Sequence, residues 1–181
     1  MVLRPTFTKK LAALLLAGQH INLISPHGQG RRRTLQDLKS LLPADLFIKQ
    51  IDLKDLGLSE YQSLLSEAAK SLVMEKKSVL LILHNFNAMN HFSDVQQLLN
   101  TKHISLLTVS EKTGEEPHQD FNHIAIPAIH KRELMTEIKR RNMIEFHEVD
   151  KLADYLLQQP APYTMLDERD KDWFASGLWK L

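Results

Sequence analysis

No cysteine occurs among the 181 residues, which excludes disulfides, cysteine-based zinc sites and thiol catalysis together and gives no reason to expect secretion. Long hydrophobic runs are also lacking. The apolar stretch at residues 11–17 falls far short of the ~20 residues that a spanning helix needs. A signal-peptide core can be that short, but Gly18-Gln19-His20 carries no small-x-small cleavage pattern and a strand-like run begins at Ile21. The cytoplasm is the expected location, with no membrane partner. Neither sign of charge is in excess: 23 Lys and Arg face 22 Asp and Glu, for a formal net charge of +1. Such a balance predicts no general attraction to nucleic acid or anionic membranes. Internal repeats, low-complexity tracts and Pro/Gly/Ser-rich linkers are absent as well. So is any Ser-His-Asp context, any pair of catalytic carboxylates, and the third glycine that a dinucleotide turn at Gly28-Gln29-Gly30 would require.

Helical and strand-like segments alternate along the chain, the pattern of an α/β fold built on a mainly parallel sheet. Thr8 is placed to cap a first helix that runs to Ala17 and stops at Gly18. Strands are expected at residues 20–25, 46–53, 78–83, 103–109 and 123–129. The third of these, apolar at nearly every position, reads as a strand covered on both faces. Helices are expected from Arg32 to Leu42, ended by Pro43, and at residues 59–75, 93–100, 131–141 and 148–158. Residues 110–119 read as a polar loop, and the tail from Pro160 as an irregular arm or a short helix.

Two segments carry chemistry. The first, Ser25-Pro26-His27-Gly28-Gln29-Gly30-Arg31-Arg32-Arg33-Thr34, joins a strand to a helix. That is where a phosphate-binding loop of the form G-x-x-x-x-G-K-[ST] belongs: its backbone N–H groups wrap phosphates, its Lys reaches the β/γ oxygens and its hydroxyl ligates magnesium. Aligned on Gly30, the chain resembles this pattern with Ser25 at the first Gly, Arg31 at the Lys and Arg32 at the Ser/Thr. Gly28 and Gly30 retain the backbone freedom for an anion nest at a helix N-terminus. Arg31 keeps the charge on a flat guanidinium, Arg32 cannot ligate magnesium, and Thr34 falls two positions late. The second segment, Val79-Leu80-Leu81-Ile82-Leu83-His84-Asn85-Phe86 and on to Ala88 and Met89, resembles a Walker B strand with His84 and Asn85 where Asp and Glu would stand. His84 is a poor ligand for a hard cation, and Asn85 can orient a water but cannot take its proton.

Together residues 20–130 resemble the ATPase core of the STAND/AAA-like P-loop proteins, within the ASCE division of P-loop NTPases. The resemblance implies a three-layer P-loop NTPase-like domain with a mainly parallel five-stranded sheet at residues 1–130 and a short helical C-terminal extension at 131–181 in the same globular unit. It places Thr108, or else Ser110, at the sensor position near the γ-phosphate. Members of the family usually carry a lid or winged-helix region, for which residues 131–181 leave room only in abbreviated form. With the metal ligands gone from both motifs, the expected protein is a pseudo-ATPase with no catalytic residue, no metal and no required cofactor, ATP being the ligand the loop could retain. Its expected role is that of an interaction or regulatory subunit whose partner is another protein, an active ATPase among the candidates. The alternatives are an ATP-binding protein with slow hydrolysis and a DNA-associated accessory factor, nucleic acid being a partner that the net charge does not favour.

The remaining constellations are weighed alongside. His27 and His84 both fall on the expected ligand edge, as a metal or acid–base pair or simply as polar fillers. His118, His123 and His130 show no metal-ligand spacing. The basic runs Arg31-Arg32-Arg33 with Lys39, and Lys139-Arg140-Arg141, are solvated helix faces or phosphate-binding patches. Trp173, Phe174 and Trp179 either anchor an interface or dock on the domain's own core.

Overall fold

The structure, a computed structural model, describes residues 2–86, 95–112 and 119–180. Five strands form one sheet: β1 (His20–Ile24), β2 (Phe47–Asp52), β3 (Val79–His84), β4 (Ile104–Ser110) and β5 (Phe121–Ala125). Their order across the sheet is β2-β3-β4-β1-β5, and every neighbouring pair is parallel. Helices α1 (Pro5–Leu16) and α2 (Arg31–Leu41) cover one face, and α3 (Leu58–Val73) covers the other. Residues 95–99 are also helical.

β3 explains the layering. Val79, Leu81 and Leu83 point into the core under α3, whereas Leu80 and Ile82 point into the core under α1 and α2. Because strand side chains alternate faces, a continuous apolar run can only be buried by helices on both sides. Beyond the sheet, α4 (Lys131–Arg141), α5 (Val149–Leu157), α6 (Pro162–Glu168) and α7 (Lys171–Ala175) follow, with short 3-10 turns at Phe146–Glu148 and Leu178–Lys180. They bury a third core around Leu134, Ile138, Leu152, Leu156 and Phe174.

Several boundaries differ from the sequence expectation. The first helix begins at Pro5, after Arg4, and Thr8 lies inside it with its hydroxyl donating to the Arg4 carbonyl at 2.8 Å. Proline at the first helical position costs no hydrogen bond, because that N–H has no partner in any helix. The fifth strand is Phe121–Ala125 instead of 123–129. The Ile126 amide still donates to the Ile24 carbonyl at 2.8 Å, but Pro127 has no N–H with which to continue the ladder. Strand β4 reaches Ser110, one residue past the expected end. The tail is neither an irregular arm nor one helix but two helices and a 3-10 turn, with Phe174 and Trp179 buried in the third core and Trp173 packed against it. Of the expected helix at 93–100, residues 93–94 lie outside the described residues, as do Ala88, Met89, His118 and most of the 110–119 loop. Among the described residues no helix is long and apolar enough to cross a membrane.

Candidate functional site

The strand–helix turn after β1 takes the shape the glycines allow. Gly28 (φ 74°) and Gly30 (φ 78°) are both left-handed, and Gly30 directly precedes α2. Neither tolerates a side chain. A Cβ on Gly28 would lie within 2.5 Å of the Ala161 Cα, and one on Gly30 within 2.8 Å of the Tyr163 ring. The amides of Gly30, Arg31 and Arg32 donate to no acceptor among the described residues. Such orphan donors at a helix N-terminus make a site for an anion. Ser25 is buried, its amide donating to the Ser110 carbonyl at 2.8 Å. Thr34 is buried one turn in. Its hydroxyl donates to the Gly30 carbonyl at 3.1 Å and accepts from Arg4 at 3.3 Å, which leaves a cation where a metal would need an oxygen.

At the carboxyl ends of β2 and β3 the structure joins Arg31 to Asn85 in a chain of contacts. The Arg31 guanidinium donates to Asn85 Oδ1 at 3.4 Å, and Asn85 Nδ2 donates to Asp52 Oδ1 at 2.6 Å. Asn85 itself is left-handed (φ 54°), a conformation that asparagine tolerates better than most residues. The amide bond from Asn85 outweighs partial desolvation and holds the Asp52 carboxyl below its ordinary pKa, so it stays ionised. His84 Nε2 meets Gln50 Oε1 at 3.2 Å, and Lys39 donates to the same oxygen at 2.8 Å. Burial, aided by the charges of Arg31 and Lys39 against the pull of Asp52, lowers the His84 pKa and keeps the ring neutral.

Thr108 lies elsewhere. It is fully buried, and its hydroxyl donates to Asn22 Oδ1 at 3.0 Å; Ser110 Oγ reaches the same oxygen at 2.9 Å and the Phe86 carbonyl at 2.8 Å. His27 is exposed, makes no hydrogen bond among the described residues, and lines a different cavity from His84. His123 Nδ1 faces the Asn22 amide at 3.2 Å, and His130 precedes α4. Among the described residues no three His, Asp or Glu side chains could hold a metal together.

The two basic runs lie about a hundred residues apart in the sequence; folding unites them. Arg31, Arg32 and Arg33 share the wall of a cavity of about 230 Å³ with Arg140 and Arg141. Arg140 and Arg141 both bind the buried Glu137, at 2.5 and 2.8 Å. Burial would raise the Glu137 pKa, but the two guanidinium groups win and hold it at about 2. Arg33 pairs with Asp37 at 3.1 Å. Arg32 has no partner among the described residues.

A further cluster, unread in the sequence, grips the loop from behind. The buried Arg4 binds Glu133 on α4 at 2.8 and 2.9 Å and the Gln29 carbonyl at 3.1 Å. Tyr163 on α6 donates its hydroxyl to Glu133 at 2.8 Å and its amide to the Gly28 carbonyl at 3.0 Å. Burial and the Glu133 charge raise the Tyr163 pKa far above its ordinary value, so the phenol always carries its proton. The position of Asp52, at the end of a strand, is a signal that could have been read. Arg4, Glu133 and Tyr163 offer no local signal, because their partners lie far away in sequence; Glu137 pairs with Arg140 and Arg141 at i,i+3 and i,i+4, a helical spacing that is legible in the sequence.

This donor set suits an anion but not magnesium. The groups at the head of α2 and β3 are guanidinium, imidazole and carboxamide, and the one adjoining carboxylate, Asp52, already accepts from Asn85 and from the Lys54 amide at 3.0 Å. Magnesium demands several oxygen ligands in octahedral array. The strand order, the left-handed glycine turn and the bare amides fit a P-loop NTPase fold. Among solved structures, the chain is similar to the RuvB Holliday junction branch migration motor of Thermotoga maritima: TM-score 0.60, 17% identity, covering 92% of this chain and 65% of that one. A single-substitution variant of that motor gives a TM-score of 0.61 at 16% identity, covering 92% and 60%. The chain thus spans less than two thirds of the length of these neighbours, and identity at this level shows the fold alone. The sequence matches no protein-family model and no curated protein.

Proposed function

We propose that this chain is a P-loop ATPase-like subunit without hydrolytic turnover, which works by binding another protein and holds a phosphate-bearing ligand weakly at its loop. The observation that carries the reading is the Arg31–Asn85–Asp52 chain of contacts. In a turning-over site, the lysine, hydroxyl and paired acids of the two motifs hold metal and water at the γ-phosphate. In this chain Arg31 points at Asn85, and Asn85 is committed to a carboxylate on the neighbouring strand. Removing one such stabilising group commonly costs ~10²–10³ in rate, and several are replaced together. The bare amides of Gly30, Arg31 and Arg32 support the weak anion site.

Calorimetric titration of ATP with and without magnesium tests the reading. The expected affinity is unchanged by magnesium, and no phosphate is released over hours. Tight magnesium-dependent binding that disappears in Arg31→Ala, or steady phosphate release, would overturn it.

A further inference from the structure

A second cavity of about 440 Å³ lies between α2 and the edge strand β2. It shares Arg31, Arg32 and Gln36 with the first and otherwise has its own walls. Along α2 it is lined by Arg32, Leu35, Gln36 and Lys39, the spacing of one helical face. Opposite stand Gln50, Asp52, His84 and Asn85. Arg31, Arg32 and Lys39 bring three positive charges against the single carboxylate of Asp52, which is itself engaged. Acceptors are short in supply: among the described residues Arg31 Nη1 is buried with no acceptor, and Arg32 has no partner. Lys39 makes do with a neutral amide oxygen. A buried guanidinium N–H without an acceptor is costly unless an occupant supplies one.

We propose that this groove docks a short acidic segment of a protein partner, whose carboxylates meet Arg31, Arg32 and Lys39. The inference rests on reading the chain as an interaction subunit and names the chemistry of what it binds. Arg32 and Lys39 are seven positions apart on α2, roughly 10 Å along the axis, the span of about three residues of extended chain. Among the described residues no Phe, Tyr or Trp lines the groove, so base stacking of the kind that supports single-stranded nucleic acid binding would rest there on the His84 ring alone.

Fluorescence anisotropy on the full chain tests this, using a labelled hexapeptide of alternating Glu and Leu, the same peptide with Gln for Glu, and one with Lys for Glu. At physiological salt the Glu peptide is expected to bind at least about tenfold more tightly than the Gln peptide. Arg32→Glu and Lys39→Glu, both on a solvent-facing helix surface, should each weaken it about tenfold and remove most of the preference for the Glu peptide over the Lys peptide. Arg140→Gln, in the other cavity, should leave binding within about twofold. Equal affinity for the Glu and Gln peptides, or indifference to Lys39→Glu in a protein with unchanged circular dichroism, would overturn the proposal. Equal competition by a short single-stranded oligonucleotide through the same residues would overturn it too. ATP turnover by the wild type would sink the reading of function while leaving the peptide preference standing. Loss of the preference without turnover would sink the groove alone.

Discussion

A methyl group on Gly28 would have to enter space that Ala161 already fills, on a backbone whose φ of 74° side chains resist. The left-handed conformation costs an ordinary residue ~1–2 kcal/mol, and overpacking a tight contact adds ~1–3 kcal/mol. Gly28→Ala is therefore expected to lower stability in urea by roughly 2–5 kcal/mol. Gly18→Ala is the control. Its φ is 79°, but nothing lies within 4 Å of the added carbon, so the conformational part, ~1–2 kcal/mol, should stand alone. Glu137 makes a second residue-level prediction. Its pKa falls from 4.5 to about 2 in the folded protein, and its side chain is fully buried. A depressed carboxyl contributes stability that is complete above the unfolded value and is lost as pH falls through the folded one. The contribution here is about 3 kcal/mol, present above pH 4.5 and lost toward pH 2. Glu137→Gln should lower stability at pH 7 by about that amount and flatten the acid limb of a pH–stability profile; an unchanged acid limb would refute the assignment.

Between elements, the loop, α4 and α6 are tied through one tyrosine. Tyr163 joins Glu133 on α4 to the Gly28 carbonyl by its hydroxyl and its amide. Tyr163→Phe removes one hydrogen bond to a charged, buried acceptor, worth ~1.5–3 kcal/mol. Hydrogen exchange should then quicken at residues 28–34 and 162–168 together, while α3, which packs on the opposite face of the sheet, stays protected. Faster exchange at 162–168 alone would show that the loop and helix are not coupled. This coupling was out of reach of the sequence, whereas the elements it joins were largely legible. The apolar run at residues 79–83 fixed a strand covered on both faces, and Gly28 and Gly30 marked the turn, because period and glycine chemistry are local. Thr8 misled for a local reason as well: its hydroxyl satisfies a carbonyl within the helix as readily as it would cap one, and Pro5 had already supplied the start. The two arginine runs read as separate faces because their meeting at one cavity depends on how α4 docks. Asp52 takes its meaning from Asn85, just beyond the end of the neighbouring strand. The tail aromatics were undecided for the same reason, until α4 and α5 supplied the core that receives Phe174 and Trp179.

Across the whole molecule, three apolar cores must melt as one or separately. Two lie on the faces of a single sheet and share its strands, so they are bound to unfold together. The third belongs to the helices after residue 131, and its charged connection to the sheet runs through Arg4, which touches α4, the loop carbonyl of Gln29 and the Thr34 hydroxyl at once, beside the Tyr163 amide on the Gly28 carbonyl. Removing one member of a buried ion pair strands the other's charge and typically costs ~3–5 kcal/mol. In Arg4→Met that cost falls on the junction, because Glu133 would be left buried with only the Tyr163 hydroxyl as a donor. Scanning calorimetry of the wild type should show one transition whose calorimetric and van't Hoff enthalpies agree. Arg4→Met should show two, the helical part melting first and the sheet near its original temperature, and the added change Glu133→Leu should restore a single transition by removing the stranded carboxylate. If Arg4→Met lowers a single transition without splitting it, the apolar contacts alone bind the helices to the sheet, and Arg4 contributes stability but not the coupling.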